Sequence, residues 1–453
     1  MNTNNITEGP IWKNMLRYFW ALLLGAFFQQ FYNTIDAVIV GRAVGSDALG
    51  AVGGSAAMLV NLFVGFFIGL SSGATVVISQ FYGAERKEEV HKAVHTAIAL
   101  SATGGLLFSV IGFLASPWLI EVMNTPVEQK AAATIYLKIF FIGMIPNLVY
   151  NMGSGILRAA GDSRRPLIVL IISSVVNIFL DVLFVIVLGL GDMGVWQGVM
   201  GVAIATVLCQ LLSAIIVIRM LQRSEDSYRL SIRKVRFDRI MLGRIVRIGL
   251  PAGLQATMYS LSNVLIQASF NSFGSDTASA WAAYGKIDVI FWMTMNSLCT
   301  AITTFVGQNY GAGNYKRVRN STRQAAFIAV AIAVPLSAFL YIFGENLLRI
   351  FIKSEENVIS IGYQMIKFLA PFYITYIGVE IFSGTLRGMG DALMPMIITF
   401  SGICVLRVVW ILAVFPHNPT LEMLEKSYPI TWITTTILYS IYYIYYINKH
   451  KIR

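Results

Sequence analysis

The sequence predicts an all-α membrane protein, with twelve transmembrane helices in two six-helix lobes related by a pseudo-two-fold axis along the membrane normal. Three observations predict it. Of the 453 residues 56% are hydrophobic and 13% charged, too little polar side chain to cover a soluble globule. The apolar residues gather in about 12 stretches, each near the ~20 residues that a helix needs to cross the hydrocarbon core. The third observation is an internal repeat. Gly155-Ile-Leu-Arg158-Ala-Ala-Gly161-Asp162-Ser-Arg-Arg-Pro166 returns 229 residues later as Gly384-Thr-Leu-Arg387-Gly-Met-Gly390-Asp391-Ala-Leu-Met-Pro395. Gln80-Phe-Tyr82-Gly83-Ala84 returns as Gln308-Asn-Tyr310-Gly311-Ala312, and Gly45-Ser46-Asp47 as Gly274-Ser275-Asp276.

The expected spans are 15–40, 54–80, 94–116, 134–153, 166–188 and 198–220 in the first half. In the second they are 249–271, 284–306, 324–343, 361–382, 394–415 and 430–447. The first is read as a retained helix and not a signal peptide, because its apolar run is long enough to span and no cleavage site follows it. The glycines of the repeated Gly-Asp turns permit a tight reversal, and Pro166 or Pro395 suits the first turn of the next helix. Arg and Asp of that motif are expected to tie the turn together. Gly65 and Gly69 read as a small-xxx-small packing pair. Tyr442, Tyr443, Tyr445 and Tyr446 suit an interfacial belt, and Lys138 and Lys367 are repeat partners placed to snorkel.

A net charge of +11 raises nucleic acid as a partner, but the basic residues lie between apolar spans and not on one soluble face. Positive-inside topology accounts for them. With the N-terminus cytoplasmic, Lys13, Arg17, Arg86, Lys87, Arg164, Arg165 and the tail Lys449, Lys451 and Arg453 all fall inside. So does the basic stretch 219–247, which includes Arg229, Arg233, Lys234 and Arg236. Both termini are therefore expected in the cytoplasm, in a bacterial inner membrane or a plasma membrane. Six spans per repeat return the chain to its starting side, so both halves share one orientation. The expected domains are a lobe over 1–220, a basic linker over 221–247 and a lobe over 248–453. Cys209, Cys299 and Cys404 fall within spans as small packing residues, implying neither disulfide nor metal framework.

Ionisable groups inside a bilayer are costly, so each is a functional candidate. In the first span Gln29, Tyr32, Asn33 and Asp36 share one helical face. Two readings of Asp36 are open: a carboxylate facing a cavity, or one merely solvated near the outer interface. The fifth span repeats the pattern with Ser174, Asn177 and Asp181. Asp181 has no neutralising charge within a turn, so it carries a proton, shares a cation, or is hydrogen-bonded to a neighbouring helix. Two carboxylates in one lobe would take up a proton, a sodium ion or a cationic substrate. Asn177 and Thr206 would add the neutral oxygens that a hard cation such as Na+ prefers.

The second lobe does not copy these acids: Asp36 corresponds to Leu265 and Asp181 to Trp410. Its own charges are Lys286 and Asp288 in the eighth span, Glu380 in the tenth and Arg407 in the eleventh, expected either to pair with one another or to meet substrate. An intramembrane enzyme such as a prenyltransferase is excluded, since no span carries the paired Asp ligands that Mg2+ on a diphosphate needs.

The repeated Leu-Arg-x-x-Gly-Asp turns, the Gln-x-Tyr-Gly-Ala endings and the paired lobes resemble the multidrug and toxic compound extrusion (MATE) transporters over almost the whole chain. The resemblance implies a monomeric secondary antiporter that exports cationic or amphiphilic compounds in exchange for H+ or Na+, with no cofactor and no nucleic acid. It implies coupling acids in the N-terminal lobe, where Gln29, Tyr32, Asp36, Asn177 and Asp181 match the branch's pattern. Tyr136 and Asn151 match the tyrosine and asparagine of its fourth helix, and Thr206 the threonine of its sixth. A lipid-linked precursor flippase of the same superfamily is the alternative. The branch commonly has a proline low in the first helix; Trp20 to Leu24 has none, leaving Gly25 as the local candidate for a bend. The acids of another branch correspond to Gln255 and Tyr376, for which Glu380 or Asp288 would have to substitute.

Overall fold

In lipid every backbone polar group must be satisfied within its own segment, and the chain answers with helices throughout. The computed structural model describes residues 6–352 and 355–450; Lys451 and Arg453 of the basic tail lie outside the described residues. Eight helical segments are long and apolar enough to cross a membrane, and a bent pair makes a ninth. Three further helices of 23 to 33 residues bring the crossing segments to twelve among the described residues.

In the first half these are α1 (Ile11–Ala43), α2 (Ser46–Gly83), α3 (Lys87–Val122), the bent α4 (Val127–Ile142 and Met144–Ala159), α5 (Arg164–Val187) and α6 (Val195–Gln222). In the second they are α7 (Arg239–Asn271), α8 (Ser275–Gly311), α9 (Tyr315–Phe351), α10 (Glu356–Gly388), α11 (Leu393–His417) and α12 (Ser427–Lys449). Most run several residues past the expected spans, because polar first and last turns continue the helix beyond the lipid.

The chain divides into two compact units. Among the described residues one is Trp20–Gly253; the other is Leu254 onward together with residues 6–19. This displaces the expected boundaries at 220 and 248: the linker and the first half of α7 belong to the first unit. The cause is close packing. A Cβ on Gly73 would stand 2.5 Å from the Gly249 nitrogen and the Ile245 carbonyl, and one on Gly69 would stand 2.4 Å from the Gly253 nitrogen. The small-residue face of α2 is thus Gly69 and Gly73, one turn from the expected pair, and it meets Gly249 and Gly253 of α7.

The linker is docked on the same unit through its backbone. His95 Nδ1 donates to the His91 carbonyl at 2.7 Å, which leaves Nε2 to accept from the Ser231 N–H at 3.1 Å. Thr96 Oγ1 accepts from Asp238 N–H at 3.0 Å, and the Tyr82 hydroxyl donates to Asp226 at 2.8 Å. In the second unit the Arg317 guanidinium gathers the carbonyls of Ile6, Glu8 and Gly9, the shortest contact being 2.7 Å.

The repeated turns are built alike but not as the sequence suggested. Gly161 and Gly390 take φ of 91° and 95°, a region glycine enters without penalty. Asp162 accepts from the N–H groups of Arg164 and Arg165 at 3.0 Å, and Asp391 from Met394 N–H at 3.3 Å and from the Tyr442 hydroxyl at 2.6 Å. The aspartate therefore caps the following helix. Arg387 does not tie this turn; it reaches Gln255 and Ser383, both at 3.3 Å. Side chains in a last helical turn point back toward the helix N-terminus, away from the loop.

Candidate functional site

In the first unit, α1, α4, α5 and α6 bring six predicted or unpredicted polar side chains to one place. With its amide nitrogen toward the carboxylate, Asn177 donates to both Asp36 oxygens at 3.2 and 3.3 Å. Asp181, one turn further along α5, is 0% exposed; no N–H or hydroxyl donor reaches its oxygens, and its hydrogen-bonding neighbour is the Asp36 carboxyl, a contact that needs a proton between the two acids. It lies within electrostatic reach of Asp36. Tyr136 of α4 lies within electrostatic reach of both carboxyls, and Tyr32 within that of Asp36. Asp36 itself is half-buried, so this end of the cluster is open while Asp181 is sealed.

The backbone explains why Asp181 is set apart. α5 is a regular α-helix from Arg164 to Asp181 and a wider π-helical turn from Val182 to Val187. π-turns occur mostly as single widened turns at functional sites. At the repeat-related place in α11, a π-turn spans Trp410–Val414, and there the Trp410 indole donates to the Met423 carbonyl at 2.8 Å. α11 has a further π-turn at Phe400–Val405, and of the two repeat-related turns only that of α5 follows an acid.

Other expected members make contacts of their own. The Thr206 hydroxyl donates to the Val202 carbonyl at 3.0 Å on its own helix. On the same helix the Cys209 thiol is hydrogen-bonded with Asn177 and feels the charge of both carboxyls. Sequence reasoning took Cys209 for a packing residue; its place three residues beyond a candidate ligand on the same helix was the available signal. Asn151 bonds the Asn147 carbonyl and side chain at 2.9 and 3.0 Å. Gln29 and Asn33 are exposed. At Gly25 the helix is unbroken from Ile11 to Ala43, and the missing side chain admits Leu170 of α5 to 3.0 Å from the position of a Cβ.

In the second unit the four expected charges do not pair with one another, and no ion pair among the described residues includes them. Hydroxyls and an indole take that place. Tyr373 donates to Asp288, Tyr284 lies 2.9 Å from the Tyr373 hydroxyl, and the Trp292 indole donates to Asp288 at 2.5 Å. A parallel chain runs from Tyr259 to Tyr376 at 2.9 Å and on to Glu380 at 2.8 Å. Arg407 is 2% exposed, with its guanidinium 4.4 Å from the centre of the Tyr428 ring. Lys286 is exposed. Neutral donors hold a buried carboxylate without the desolvation penalty of a second ion.

Two repeated bundles, with a sealed acid in one and aromatic-held acids in the other, define a multi-pass membrane transporter. A family model described as MatE matches residues 21–183 and 251–412, one copy in each half. The chain belongs to the MatE family. It is 26% identical over 456 residues to "Probable multidrug resistance protein YoeA" of Bacillus subtilis strain 168, covering 99% of this chain and 97% of the relative. "Probable multidrug resistance protein NorM" of Thermotoga maritima is 29% identical over 344 residues, covering 75% and 72%. Among solved structures, a MOP superfamily transporter from Pyrococcus furiosus superposes with a TM-score of 0.91 at 23% identity, covering 100% of this chain and 99% of the other; the likeness is one of fold.

Proposed function

We propose that the protein is a secondary antiporter that exports cationic or amphiphilic organic compounds in exchange for H+ or Na+, acting as a monomer without a cofactor. The observation that carries the reading is Asp181: a carboxyl with no exposed surface whose hydrogen-bonding neighbour is a second carboxyl, Asp36, so that the two can be joined only through a proton or a cation. A lone buried charge is unstable, so the pair is neutralised by one positive species at a time. A proton or Na+ and a cationic substrate therefore compete for the same negative charge. A site that releases one as it accepts the other exchanges them across the membrane when the lobes alternate their opening. The oxygens of Asp36, Asp181 and Asn177 are hard donors suited to Na+, and the same carboxyls suit H+. The relatives' names support multidrug compounds as the cargo. The basic stretches around Arg164, Arg165 and 219–247 support cytoplasmic termini, in a bacterial inner membrane or plasma membrane.

A flippase would offer cations to a lipid phosphate; Arg407 is enclosed against Tyr428, which leaves the exposed Lys286 as the cation that reading has in the second unit. The test is dye efflux from inverted vesicles under a proton gradient and a sodium gradient imposed separately. Transport should follow at least one gradient and be abolished by Asp36→Asn. A response to neither, or wild-type rates in Asp36→Asn, overturns the reading.

A further inference from the structure

We infer that a furrow between the second half of α4 and α6 holds one acyl chain of an anionic phospholipid, with the headgroup phosphate on Arg219 and Gln222. The furrow has a volume of about 340 Å³. One wall is Ile145, Pro146 and Val149; the other is Leu211, Ile215 and Ile218. It arises because α4 bends by 50° at Gly143, where a Cβ would stand 2.6 Å from Val207 of α6. The two helices touch at the bend and again at Gly153 against Val217. The outward faces left over enclose the furrow, and Leu211 and Ile215 remain 45% and 42% exposed.

Its dimensions and chemistry fit one leaflet. From Leu211 to Gln222 the helical rise gives about 16 Å, against ~15 Å for half the hydrocarbon core. The apolar walls therefore run from near the midplane and end, at headgroup depth, in a guanidinium and an amide. Arg219 is exposed, and no ion pair among the described residues includes it. A guanidinium presents a planar fork to phosphate oxygens, and basic pockets between helices at this depth favour anionic headgroups. The sequence of surfaces along the furrow, apolar and then cationic, is that of a phospholipid and not of a free anion.

The test is native mass spectrometry of the full-length protein released from nanodiscs of equal phosphatidylcholine and phosphatidylglycerol. The wild type should retain phosphatidylglycerol over phosphatidylcholine. Arg219→Gln should lower that preference about fivefold, the effect of one basic residue at a membrane surface. Ile215→Trp, which fills the furrow and keeps Arg219, should lower it as well. Arg164→Gln, at an exposed arginine starting α5, should leave it unchanged. An unaltered preference in Arg219→Gln or in Ile215→Trp overturns the inference, as does displacement of the lipid by millimolar inorganic phosphate, which would mark a free-anion site.

Discussion

Asp181→Asn should stabilise the protein while stopping transport. In the wild type both Asp181 oxygens are buried, and their hydrogen-bonding neighbour is a second carboxyl, so the contact is lost whenever both acids are ionised. An unsatisfied buried group costs about 1–3 kcal/mol, and like charges in low dielectric add to it. Asparagine keeps the shape, removes the ionisable proton and offers an N–H to Asp36. The expected gain is about 2 kcal/mol, or roughly 4–8 °C in melting temperature for a unit the size of Trp20–Gly253. The assay is thermal unfolding of the purified protein in detergent, followed by intrinsic fluorescence, beside vesicle efflux of the same variant. Efflux should fall to background, because the exchanged charge is gone. A lowered melting temperature would show that Asp181 is satisfied by something the fold supplies. Undiminished efflux would remove it from the coupling step. Stability gained where activity is lost is what a site built around an unfavourable charge should show.

Other expectations concern single contacts. Gly73→Ala should cost 1–3 kcal/mol or more and sharply lower the yield of folded protein, since its Cβ would meet backbone atoms of Gly249 and Ile245 at 2.5 Å; normal yield and stability would refute the close approach. Trp292→Phe strips Asp288 of its indole donor and should lower the melting temperature by the equivalent of about 1–3 kcal/mol, whereas an unchanged value would mean that tyrosine alone suffices. Outside the spans, burial and then the neighbouring Glu422 push the Glu425 carboxyl up to about 7. The folded state thus binds the proton more tightly than the unfolded chain. The stability this contributes is fully present below about pH 4.5 and lost as pH rises through 7. Glu425→Gln should therefore raise the melting temperature at pH 8 and leave it nearly unchanged at pH 5; an equal shift at both would refute the assignment.

The apolar runs, the repeat and the helical faces were legible in the sequence because each is a local property. Twelve spans follow from the cost of exposing a peptide group to lipid, and the 229-residue echo reports two copies of one scaffold. The face of α1 with Tyr32 and Asp36, and that of α5 with Asn177 and Asp181, follow from the helical period alone. Which faces meet does not follow from any one helix. Thr206 and Cys209 lie three residues apart on α6, and only the packed structure shows that the Cys209 thiol reaches Asn177 while the Thr206 hydroxyl donates to its own backbone. The charges of the second unit looked like partners by sign, yet hydroxyls and an indole reached them first. Likewise the boundary between units moved because four glycines let α2 and α7 touch. The sequence by itself determined a twice-built helical membrane scaffold with acids in one copy only. The tertiary structure decided that Asp181 sits sealed beside a π-turn with a second carboxyl to bond, because depth and rotation of packed helices, unlike hydropathy, are set by neighbours far away in the chain.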